Sequence, residues 1–162
     1  MKKKVLISFI FVILGFVLSF MIHEFSHFLF LELMGGTTKN ISIGLENYVT
    51  GYIEPSKISI IALSSIFVPL ILSGILVFIK SLYIQIFCGT FTILPFMNCL
   101  LGLIMNVIEK DISVRATYDV VLAIDNVAHP MGSLMFTMFT VFCLILSMAI
   151  IIYNGKYTVD NF

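Results

Sequence analysis

An apolar run reaches from Val5 to Leu33, and only four ionisable residues stand within it: His23, Glu24, His27 and Glu32. Crossing the hydrocarbon core of a bilayer takes about 20 helical residues, so the run reads as a membrane-spanning helix with length to spare. Ionisable side chains at that depth are costly and turn towards a partner, a cavity or an ion. His23 and His27 are at i and i+4, one above the other on a single helix face, where both imidazoles can hold one ion. Glu24 lies about 100° further round the helix, placed to reach a water on that ion and not the ion itself. His23-Glu24-Phe25-Ser26-His27 is therefore the H-E-x-x-H pattern of zinc hydrolases, with Glu24 as general base.

The rest of the composition agrees with a membrane setting. Of 162 residues, 60% are hydrophobic and 11% charged, and a mean hydropathy of +1.12 is far above that of a soluble domain. The chain has room for a single membrane-embedded domain, residues 1–162. The expected fold is an all-α polytopic membrane protein of about four transmembrane helices, near 5–33, 58–79, 81–108 and 133–153. A short β-like hairpin or loop over 37–54 follows the first, because Ile41, Ile43 and Leu45 alternate with small polar residues and Asn47 separates them from Tyr48, Thr50 and Tyr52. A short helix is expected near 114–124. Net charge is zero and no basic stripe is present, which argues against nucleic acid as a partner.

Lys2-Lys3-Lys4 reads as a membrane-flanking anchor and argues for a cytoplasmic N-terminus. The first apolar run is too long for a signal-peptide core and no small-residue cleavage site follows it, so it is expected to be retained. Cys88, Cys99 and Cys143 lie inside apolar runs, share no metal-ligand spacing and read as small buried hydrophobes. The bias towards lysine over arginine and towards isoleucine points to a bacterial cell membrane.

A catalytic zinc needs three protein ligands and one open position. The candidates for the third are Glu32, Asp111, Asp119, Asp125 and His129. In an up-and-down bundle the end of the third apolar segment returns to the side of the membrane where the histidines lie, so residues after it are the natural source. Asp119 is favoured because it stands between apolar neighbours, where an unpaired carboxylate is expensive. Asn98 and Asn106 are two helical turns apart on one face of the third segment. They are candidates to hydrogen-bond a substrate backbone or an oxyanion, or simply a neighbouring helix.

Together these residues resemble the site-2 protease family of intramembrane zinc metalloproteases. The His23–His27 motif is similar to that family's zinc-binding helix. Ile41 to Gly44 with Gly51-Tyr52 is similar to its membrane-edge β-like loop. Ser64 to Ser73 with Pro69 is similar to its small-residue and proline stretch, Asn98 and Asn106 to its asparagine-bearing third helix, and Thr117-Tyr118-Asp119 to its aspartate motif. The resemblance implies Zn²⁺ held by His23, His27 and Asp119 in a lipid bilayer, and cleavage of a membrane-protein or membrane-anchored peptide with Glu24 as the base. It also implies an orientation opposite to the one the N-terminal lysines suggest. Two other readings are a catalytically inactive scaffold of the same fold and a small metal-transport subunit.

Overall fold

The computed structural model describes residues 2–42, 48–111, 114, 118–127 and 130–162. Among them, helix α1 spans Lys2–Leu33, strands β1 and β2 span Thr37–Ser42 and Tyr48–Tyr52, and helices α2, α3, α4 and α5 span Pro55–Leu76, Leu82–Ile108, Asp119–Asp125 and Pro130–Asn161. Four of these helices are long and apolar enough to cross a membrane, with spans at Lys3–Leu33, Pro55–Leu76, Leu82–Ile108 and Pro130–Asn161. The architecture expected from hydropathy is therefore present: a helical bundle with one two-stranded sheet after its first helix.

The end of α1 is set by Gly35, whose φ of 80° suits a residue without a Cβ and closes the helix. Gly36 N–H then bonds back to the Leu31 carbonyl at 2.9 Å. The Glu32 carboxylate accepts from the Thr38 backbone N–H at 3.1 Å and from the Thr38 hydroxyl at 2.5 Å, so it anchors β1 directly to α1. Glu32 is thereby engaged as a cap, away from the histidines. Lys57 Nζ donates to the Met34 carbonyl at 2.8 Å and draws the start of α2 to the end of α1. Strands β1 and β2 pair antiparallel, with Thr37 opposite Tyr52 and Ser42 opposite Tyr48, and the register slips between Thr38 and Asn40. Ile43, Leu45 and Asn47, on which the expected alternation partly rested, lie outside the described residues.

Several boundaries differ from the hydropathy reading, and α1 and α2 already begin at Lys2 and Pro55, ahead of the apolar runs at 5 and 58. Helix α2 stops at Leu76 and not at Ile79. Val77 to Ile79 form a tight turn held from the next helix, where Gln85 Nε2 donates to the Val77 carbonyl at 2.9 Å and the Ile79 carbonyl at 2.7 Å. Apolarity continues through that turn, so it does not mark where helical hydrogen bonding ends. Helix α5 starts at Pro130, a residue suited to a first helical turn, and runs to Asn161. It thus extends beyond the apolar stretch 133–153, which registers only the part of a helix that matches the hydrocarbon. The short helix expected near 114–124 is described as Asp119–Asp125. Thr117 and Arg115 lie outside the described residues, as does His129.

Helix α2 is the central helix. Ala62, Leu63, Ile66 and Leu70 are buried in the core with Cys88 and Cys99 of α3, Val120 and Ala123 of α4, and Cys143 and Ile150 of α5. Small residues on α2 let its neighbours approach closely, as at other membrane helix interfaces. The Ser59 hydroxyl reaches across to the Ala123 carbonyl at 2.7 Å and ties α4 to α2. By contrast, α1 and α5 carry exposed apolar side chains such as Phe9, Ile13, Met138, Phe142 and Ile145, the surface a bilayer covers.

Helix α4 sits on α3 through one close contact. A Cβ on Gly102 would lie 2.5 Å from the Val120 Cβ, so α3 can accept Val120, which is fully buried, only without a side chain there. Gly102→Ala is therefore expected to push α4, and Asp119 with it, away from α1. Metal affinity of the purified protein should fall, and Val120→Gly in the same chain should restore part of it. Additive losses would mean that the two positions do not press on each other.

Candidate metal centre

The ligand side chains come from two helices that are far apart in sequence. Helix α1 supplies His23 and His27 one turn apart, with ring centroids 5.0 Å apart and planes at 89°. Helix α4 supplies Asp119 at its first residue. The site is closed from α2 and α3. Among the described residues, His23, His27 and Asp119 form the one group of His, Cys, Asp and Glu side chains able to hold an ion, with one ligand atom from each lying within 4.8 Å of the others.

The distances are those of a chelate. His23 Nε2 lies 3.3 Å from Asp119 Oδ2, and His27 Nε2 lies 3.3 Å from Asp119 Oδ1. Two ligand atoms each about 2.0–2.1 Å from a small tetrahedral ion stand about 3.3–3.4 Å apart. The tautomers point the same way. His27 Nδ1 is 3.0 Å from the Ile61 carbonyl, and a carbonyl can only accept, so the proton of the neutral ring is on Nδ1. Nε2 then presents a lone pair to a carboxylate. Two acceptors facing each other across this gap need a cation or a proton between them, and the donor set fits a divalent metal.

Asp119 is held from two further sides. The Asn98 amide donates to Oδ2 at 2.9 Å and the Ser65 hydroxyl donates to the same oxygen at 2.7 Å. Burial alone would raise the carboxyl's pKa. Positive charge on His27 and His23 when a proton bridges them to the carboxylate, together with the Asn98 amide, outweighs it and holds Asp119 well below the usual carboxylate range. An ionised carboxylate is the form that binds metal.

Glu24 is set back from this group. Its Oε1 lies 3.7 Å from His23 Nε2, and only 7% of the side chain is exposed. A carboxyl group beside the metal-facing nitrogen, but outside the ligand group, suits proton transfer better than ligation.

The five candidates for a third ligand now separate. Asp119 is in the group, Glu32 caps β1, and Asp111 and Asp125 are exposed. His129 lies outside the described residues. Asn98, proposed from sequence as a substrate contact, has its amide nitrogen directed at Asp119, while Asn106 is half-buried two turns further along α3. Sequence reasoning missed Ser65 and the Ile61 carbonyl. The serines of α2 were visible only as small residues, and a backbone carbonyl has no residue-type signature.

No protein-family model, curated protein or solved structure matches this chain. The chemistry of the centre itself therefore carries the functional reading.

Loss of a partner that orients a ligand costs about 10–100-fold in metal affinity. Asn98→Ala and Ser65→Ala are each expected to weaken metal binding by an amount in that range, measured by competition with a chromophoric chelator. Unchanged affinity in both would show that Asp119 needs neither bond.

Proposed function

We propose that this chain is an intramembrane zinc metalloprotease that hydrolyses a peptide bond in or near a transmembrane segment of a membrane-protein substrate. The single observation that carries the reading is the convergence of His23, His27 and Asp119, with Glu24 beside them, between helices long enough to cross a membrane.

His23 and His27 would hold the metal through Nε2 and Asp119 through its carboxylate. Bound there, Zn²⁺ supplies a Lewis acid that polarises the scissile carbonyl and makes water acidic enough to deprotonate near neutral pH. The chain's own groups do the rest. Glu24 takes the proton of the attacking water and returns it to the leaving amine. Asn98 and Ser65 keep Asp119 turned towards the imidazoles, and the Ile61 carbonyl fixes the His27 tautomer. The packed α1–α2–α3 helices limit bulk water around the reacting groups.

A helical substrate hides its peptide bonds and must be unwound before cleavage. The β1–β2 hairpin begins four residues beyond α1, the helix that bears the histidines, and a two-stranded sheet has edges to which an extended peptide can add as a further strand. That mode reads backbone first and side chains second, which suits a protease acting on apolar segments.

The test is the appearance of new protein N-termini in native membranes incubated with the purified chain. Termini that map in or beside transmembrane segments, vanish with a zinc chelator and return with added zinc support the reading. A chain that binds zinc yet yields no new termini is the inactive scaffold.

A further inference from the structure

Proline has no N–H, so within a helix it leaves the carbonyl four residues earlier without its usual donor. A carbonyl left so in a membrane interior needs another partner. Helix α3 shows what this chain does with one. Fully buried Pro95 frees the Phe91 carbonyl, and the Ser19 hydroxyl of α1 donates to that oxygen at 2.8 Å.

Helix α2 contains the same arrangement. Pro69 is fully buried inside the helix, and the carbonyl it frees belongs to Ser65. Helices α1 and α2 run antiparallel here, with His27 Nδ1 3.0 Å from the Ile61 carbonyl. One turn back along α1 is His23, and one turn on along α2 is Ser65. That register sets the Ser65 carbonyl opposite the His23 ring, whose Nδ1 is buried and makes no hydrogen bond. A buried ring nitrogen without a partner and a carbonyl without its helical donor thus lie side by side at the metal centre.

We infer that Pro69 is a positioning residue for the centre: by lacking an N–H it frees the Ser65 carbonyl to accept the Nδ1 proton of His23, leaving Nε2 for the metal. The two carbonyls, Ile61 for His27 and Ser65 for His23, then orient both rings from one face of α2. The inference rests on the metal-centre reading and extends it to a residue that touches no ligand atom.

The test restores the missing N–H. Pro69→Ala should let residue 69 bond the Ser65 carbonyl in the ordinary helical way and lower zinc affinity by about 10–100-fold. Replacing Pro69 by lactic acid, which puts an ester oxygen where alanine has its N–H, should recover most of that loss. Pro95→Ala should leave zinc affinity unchanged. In the parent chain, ¹⁵N NMR of labelled histidine should show His23 protonated at Nδ1 before metal is added, and Pro69→Ala should shift that signal. Parent-like zinc affinity in Pro69→Ala, an ester variant as weak as the alanine variant, or a His23 ring protonated only at Nε2 would each overturn the inference and leave the centre standing. A parent chain that binds no zinc overturns both.

Discussion

Glu24→Gln should retain zinc at the parent level while its cleavage rate falls by about 10²–10⁴-fold, the range a positioned general base contributes. The two halves of this outcome come from one geometry. Glu24 Oε1 is 3.7 Å from His23 Nε2 and outside the group of three ligand side chains, so replacing an oxygen by an amide nitrogen removes no ligand. Glutamine keeps the size and much of the polarity of glutamate, so the packing of a buried side chain is preserved. What it lacks is the capacity to take a proton from water. Zinc content by elemental analysis and the rate of substrate cleavage, measured on the same preparation, separate the two effects. Loss of zinc in this variant would make Glu24 a ligand, and parent-like cleavage would remove it from the chemistry.

Asp119→Asn should have the opposite signature. The amide keeps the shape of the side chain and an oxygen that can accept from Asn98 or Ser65. It loses the negative charge that offsets a divalent ion in a low-dielectric interior. Zinc affinity should fall by more than the roughly 100-fold that marks the loss of an outer-shell partner, and cleavage should fall with it. Excess zinc should restore part of the activity in Asp119→Asn and none in Glu24→Gln. That difference distinguishes a residue that holds the metal from one that moves the proton.

The bundle was legible because hydrocarbon thickness is a length constraint that apolar runs record directly. Segment ends were less so. Val77 to Ile79 are as apolar as the helix they follow, and Gln85 ends that helix from a different segment. His23, Glu24 and His27 were legible because the motif lies within two turns of one helix, where spacing is geometry. Asp119 could be nominated by its cost, as a carboxylate among apolar neighbours, by its place after the third segment and by the resemblance of Thr117-Tyr118-Asp119 to an aspartate motif. What the sequence could not give is how Asp119 reaches the histidines, since α4 is docked by Gly102, Val120 and the Ser59 hydroxyl. The supports of the histidines were not legible at all. Ile61 and Ser65 act through backbone carbonyls, and the consequence of Pro69 lies four residues from where it is written.

The most direct measurement is zinc K-edge X-ray absorption of the purified chain in membranes, with metal stoichiometry determined on the same sample. One zinc per chain is expected, with two imidazole nitrogens at about 2.0–2.1 Å and carboxylate and solvent oxygen at about 2.0–2.2 Å. In Asp119→Asn the site should be largely empty. A parent chain without stoichiometric zinc, a sulfur shell at about 2.3 Å, or an absorption spectrum unchanged by the loss of Asp119 would contradict a centre built from His23, His27 and Asp119.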